Sequence, residues 1–359
     1  FSTEAAINPS ATLAVARSYL AGVNSSTRGY FGGGWIGSNL NEIDGIEFST
    51  EAAINPSATL AVARSYLAGV NSTTRGYFGG GYTGSYSNEI DGIDFSTEAA
   101  INPAAALAVA RQGLAGVNSS TRGYFGGGVA SSYLNEIDGI QFSTEAAINP
   151  SATLAVAREG LAGVNSSTRG YFGGGTTGSN SNEIDGIEFS TEVAINPSAT
   201  LAVARSYLAG VQSYNHEVDA RGYFGGGWTG NYSNEIDGIQ FSTEAAINPS
   251  ATLAVVRTYL AGVNSSTRGY FGGGWTGNYS NEIDGINFST EAAINPSATL
   301  VVARQSLAGV NSSTRGYFGG GTTSSYSNEI DGIEFSTEAA INPSATLAVA
   351  RSYLAGVNS

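Results

Sequence analysis

The sequence predicts an all-β chain, a seven-bladed β-propeller of four-stranded blades, and three observations predict it. A unit of 47 residues recurs from one end of the chain to the other, and tandem self-similarity at such a period marks a repeat architecture. Each unit holds short aliphatic or aromatic segments bounded by turn residues, the pattern of short strands. Its second half, which carries a glycine triplet, occurs seven times.

The phrase Phe-Ser-Thr-Glu begins at Phe1, Phe48, Phe95, Phe142, Phe189, Phe241, Phe288 and Phe335, spaced 47 apart except for 52 between Phe189 and Phe241. Residues 1–25 and 335–359 are identical, so the array is cut in mid-repeat at both ends. One propeller domain over 1–359 is expected. Its blades would run roughly 18–64, 65–111, 112–158, 159–205, 206–257, 258–304 and 305–351, with 1–17 and 352–359 as half-blade remnants.

Within a unit, four strands follow in order. Strand A, SYLAGVNS, carries the small Ala and Gly that suit an inner strand near a tapering axis. Strand B, RGYFGGG, is aromatic and then glycine-rich, a strand running into a turn. Glycine weakens strands, so seven triplets imply backbones that crowd together around the axis. Strand C, NEIDGIEF, sets Ile, Ile and Phe between turn residues. Strand D, EAAINPSATL, closes the blade. Radial closure leaves only short protected edges, which suits a chain without disulfides.

The stretch PSATLAVARSYLAG reads differently when taken alone. Pro near its start, Ala and Leu within and Gly at its end are helix signals, and they imply a ββα solenoid as the alternative fold. A resemblance decides between the two. An aromatic strand ends in glycines at Tyr30, Phe31, Gly32, Gly33 and Gly34; apolar residues follow at Ile43 and Ile46; and Arg64 precedes the apolar Leu-Ala-Gly-Val. This pattern resembles the kelch repeat, which implies one four-stranded blade per unit. The unit departs from kelch where Ala53 and Ile54 replace the outer-strand Trp. The phrase STRGYFGGG is also similar to repeats in large structural proteins of marine bacteriophages, which implies a virion or extracellular setting.

Composition bounds the chemistry. The 359 residues include no Cys, no Met and no Lys, with 15 Arg against 29 Asp plus Glu and a net charge of −14. Disulfides and thiolate chemistry are excluded, and an acidic chain repels nucleic-acid backbones. No apolar run is long enough to span a bilayer. The start at Phe1 without Met, basic n-region or apolar core suggests a processed product or an excised segment.

Candidate chemistry is sparse. The carboxylates of Asn41-Glu42-Ile43-Asp44 could form a calcium ring, but the spacing matches no EF-hand, and a solvated strand face is the expectation. The Arg17-type and Arg28-type residues could hold an anion; pairing with Glu51-type or Asp44-type carboxylates between blades is expected instead. The glycine triplet matches neither the P-loop nor the dinucleotide fingerprint. His216, the only histidine, stands with Glu217 and Asp219 in the singular stretch 212–220. Asn-Ser-Ser/Thr sequons recur at Asn24, Asn71, Asn118, Asn165, Asn264 and Asn311, with Asn-Tyr-Ser at Asn231 and Asn278; an A–B turn explains the first set. Neither a nucleophile–base pair nor a cofactor motif is found. The expectation is a non-catalytic structural or assembly propeller that uses no cofactor or metal. Its partners would be other protein chains or surface glycans, with self-association through the surplus half-repeat. The alternative is a lectin-like propeller that uses the variable segment after each triplet. That segment carries Trp35, Tyr82, Trp228 and Trp275, and these four with His216 are the candidate ligand-binding residues.

Overall fold

A computed structural model describes residues 17, 19–50, 52–213, 220–341 and 346–351. It is a seven-bladed β-propeller, each blade a four-stranded antiparallel meander, and no helix occurs among the described residues. In blade 1 the strands are β1 (Ala21–Asn24), β2 (Arg28–Gly32), β3 (Ile43–Glu47) and β4 (Ala53–Ile54). The strands equivalent to β1 are Ala68–Asn71, Ala115–Asn118, Ala162–Asn165, Ala209–Gln212, Ala261–Asn264 and Ala308–Asn311, which open blades 2 to 7. Each touches the next, and β1 touches the last, so the ring is closed. The stretch that reads as helix is irregular instead, with bends and isolated bridges up to the start of the inner strand.

The register is the same in every blade. Ala21 faces Gly32 across β1 and β2, and Tyr30 faces Gly45 across β2 and β3. The inner strands pack backbone to backbone: a Cβ on Gly210 would stand 2.6 Å from the carbonyl oxygen of Gly163. Crowding at the axis therefore belongs to this glycine of the first strand. The triplet serves other ends. Gly32 lies under the ring of Phe78 from blade 2, and Gly33 has φ +69° with the Arg64 carbonyl where its Cβ would be. Only glycine meets both demands at low cost.

The outer strand is shorter than the sequence suggests, two residues against the ten of EAAINPSATL. Residues 55–64 turn away to hydrogen-bond the entry of β3, with Leu60 N donating to Asn41 O at 2.7 Å and Arg64 N to Leu40 O at 3.0 Å.

The core lies between blades. Val23, Tyr30 and Ile43 of blade 1 form one buried cluster with Ile54, Leu60, Phe78, Ile93 and Phe95. Tyr30 stacks on Phe95 with ring centroids 5.5 Å apart. Two sets of arginines staple the same seams, as the sequence reading expects. Arg64 is bonded through its backbone to blade 1, while its side chain, 0% exposed, reaches Phe78 O and Asp91 of blade 2. Arg17 makes the equivalent pair with Asp44 at 2.7 Å. Arg28 binds Glu47 of its own blade at 2.7 Å and Phe95 O and Glu98 of the next at 2.9 and 3.2 Å. Asp44 is thus neither on a solvated face nor available to a cation, a correction to the strand-face expectation. Such pairs are stable only because both charges are satisfied together.

Two sets of polar links run around the axis from blade to blade. At one end, Tyr66 N donates to Tyr19 O at 2.8 Å, Tyr207 N to Gly160 O at 2.9 Å and Ser306 N to Tyr259 O at 2.8 Å, each to the preceding blade. At the other end, Asn24 N donates to Asn71 Oδ1 at 3.4 Å, Asn165 N to Gln212 Oε1 at 3.1 Å and Asn264 N to Asn311 Oδ1 at 3.0 Å, each to the following blade. The sequon asparagines Asn24, Asn71, Asn264 and Asn311 are therefore buried members of these links, while Asn231 and Asn278 are exposed.

At the seam, the slot beside Asp44 is filled by Arg17 of the first copy. The last copy's Thr346–Arg351 pairs antiparallel with Ser327–Glu334 of blade 7, with Thr346 opposite Glu329 as Thr59 is opposite Glu42 in blade 1.

Candidate functional site

The seven inner strands enclose a central channel of about 520 Å³. The series of main-chain bonds from Tyr19 through Tyr66, Gly113, Gly160, Tyr207 and Tyr259 to Ser306 lines its mouth. All seven positions adopt left-handed backbone, from Tyr207 at φ 53° to Gly113 at φ 68°. Glycine does this freely, but a bulky residue there is a genuine outlier costing on the order of 1–3 kcal/mol. Four blades nonetheless place tyrosine at the rim. Tyr19 stacks on Tyr66 at 3.8 Å and Tyr207 lies against Tyr259 at 5.1 Å.

The residue after each glycine triplet is brought to the same face. Tyr82 pairs with Ser65 through reciprocal main-chain hydrogen bonds of 3.0 and 2.7 Å, and Trp228 pairs with Ser206, and Trp275 with Thr258, in the same way. The variable aromatics therefore share one face, around one mouth. Trp228 packs on Tyr232 at 5.2 Å; Trp275 packs on Tyr279 at 4.9 Å and donates its indole N–H to Tyr232 Oη at 2.8 Å, joining blades 5 and 6. Trp35 stands at the equivalent place in blade 1, bridged to Asn39.

Beside the mouth lies a cleft of about 510 Å³ lined by Tyr66, Tyr82, Tyr86, Gln112, Gly113, Glu159, Gly160 and Tyr207. Of the sequence-selected residues only Tyr82 lines it; Trp35, Trp228 and Trp275 lie elsewhere on that face. His216 falls outside the described residues, and the described ends of its loop, Ser213 and Ala220, lie toward the amide end of the channel. Burial pushes the Glu159 carboxyl above the usual carboxylate range. No arginine lines the cleft, and no cluster of three or more metal-ligating side chains occurs among the described residues.

The residues that reading the sequence missed are Tyr66, Tyr86, Tyr207, Gln112 and Glu159. A signal was present in the repeat itself. Blades with tyrosine at the rim have Tyr or Trp after the triplet, whereas Gly113, Gly160 and Ser306 go with Val129, Thr176 and Thr322. Comparison of the chain with protein families and with curated proteins finds no match in either.

Proposed function

We propose that this chain is a non-catalytic binding propeller whose mouth face takes carbohydrate. The observation that carries the reading is the rim itself: tyrosines held in an unfavourable backbone conformation where glycine, used in two sister blades, would relieve it. Outliers of this kind cluster at ligand-binding sites. The flanking Trp and Tyr side chains offer flat apolar faces edged by polar groups, the surface on which sugar rings stack. A glycan-array screen tests this. Binding by the parent, abolished by a Tyr66→Gly and Tyr82→Ala double variant that keeps its circular dichroism spectrum, is the expected result. An array blank for the parent would sink the carbohydrate reading.

A structural or assembly role, in a virion or at an extracellular surface, is the second reading. The kelch-like repeat and its likeness to phage structural repeats support it, as does the last copy lying along blade 7 while the first fills the closing slot. A strand able to exchange slots could join one propeller to another chain. Light scattering on the parent and on a chain lacking residues 1–25 separates linked propellers from a closed monomer.

A further inference from the structure

The mouth is not sevenfold. Three positions distant in sequence but joined by the same main-chain pairing change together from blade to blade. Blades 2, 5 and 6 combine Ser or Thr, a rim Tyr and a post-triplet aromatic; blades 3, 4 and 7 combine Gln or Glu, Gly or Ser, and Val or Thr. The cleft beside the mouth spans blades 2 to 5, over the two changes of set from blade 2 to 3 and from blade 4 to 5.

Its walls are specific. Glu159 Oε2 stands 3.0 Å from where a Cβ on Gly113 would be, so the carboxylate lies across the place a blade-3 tyrosine would occupy. Tyr207 lies likewise over Gly160, its Cε1 3.0 Å from the Cβ position there. Tyr66, Tyr82 and Tyr86 complete the lining with Gln112. Among the described residues, no hydrogen bond or ion pair reaches the Glu159 carboxylate, whereas the Arg17-type and Arg28-type side chains are engaged at the blade seams.

A carboxylate walled by aromatic rings suits one kind of guest. Ring faces are negative and attract cations, most strongly where the contact is desolvated. An anion would meet like charge, and a neutral guest would cover a carboxylate without balancing it. We propose that the cleft formed by Tyr66, Tyr82, Tyr86, Tyr207 and Glu159 binds an organic ammonium group, and that the sugar taken by this face is accordingly an amino sugar. The second clause rests on the carbohydrate reading above.

Calorimetric titration of the whole chain with glucosamine, N-acetylglucosamine and tetramethylammonium tests both clauses. Glucosamine should bind at least tenfold more tightly than its N-acetyl form, which carries no charge, and Glu159→Gln should erase that preference. Because Glu159 is half-buried and makes no ion pair, that variant should fold; Tyr86→Ala, at an exposed wall, supplies a second test and should weaken glucosamine and tetramethylammonium alike. Equal affinity for the two sugars, or preference surviving Glu159→Gln, overturns the ammonium site while leaving carbohydrate binding standing. Tetramethylammonium binding without any sugar binding upholds the site and sinks the carbohydrate reading. No binding of any probe overturns the ammonium site.

Discussion

Single residues in this molecule act mainly at the seams between blades, so the sharpest mutational effects are expected there. Arg158 is 0% exposed and holds Asp185, Phe172 O at 3.0 Å and Val156 O at 3.1 Å. Arg158→Ala leaves Asp185 buried without its cation, and a loss of about 3–5 kcal/mol is expected in denaturant unfolding. Gly210→Ala places a methyl against a neighbouring backbone rather than a flexible side chain. It should cost about 1–3 kcal/mol, with no relief from repacking. A rim residue behaves oppositely. Tyr66→Gly removes the left-handed strain along with the Tyr19 stack, so melting should shift little while binding at the mouth is lost. A collapse in stability would make Tyr66 a packing residue.

At the scale of elements, the A–B turn explains how one repeat tolerates five extra residues. In the ordinary turn Ser25 N donates to Arg28 O at 2.8 Å, and Ser25 Oγ accepts from Arg28 N at 3.0 Å. In the long version Ser213 and Arg221 keep both bonds, at 2.8 and 2.9 Å. The insertion is thus pinned at its base. Replacing residues 212–220 by Asn-Ser-Ser-Thr should change stability by less than about 1 kcal/mol, measured by thermal melting. Strand existence, order and the pairing of both arginine sets were legible because each leaves a local or stoichiometric mark in the repeat. The length of strand D was not, since the carbonyls of Leu40 and Asn41 that draw residues 55–64 away from it belong to a different part of the blade. Of the site, the post-triplet aromatics were legible as hypervariable positions. Glu159 and Gln112 were not, because they precede an inner strand and reach the same face only through the bridges to Thr176 and Val129.

For the molecule as a whole, the interblade tyrosines set an alkaline limit. Burial, with the neighbouring Glu98-type carboxylates, pushes Tyr30, Tyr77, Tyr124, Tyr171, Tyr223 and Tyr270 from 10.0 up to about 12. Because the folded values lie above the unfolded one, this stabilisation is complete below pH 10 and is lost as pH rises toward 12. A late fraction of the absorbance from the 19 tyrosines should therefore climb in step with loss of near-ultraviolet ellipticity; ionisation of all of them near pH 10 with the fold intact would refute the coupling. The two sets of polar links carry a further consequence. Among the described residues, mouth bonds run from each blade back to its predecessor, and the backbone-to-amide bonds at the far end run forward. Both sets of links therefore run from blade to blade around the channel, in opposite senses at its two ends. In a helix the aligned peptides give the two ends opposite partial charges; here the links join neighbouring blades instead. Side-chain chemistry also tells one end from the other, phenols and a carboxylate at the entrance against amides at the exit.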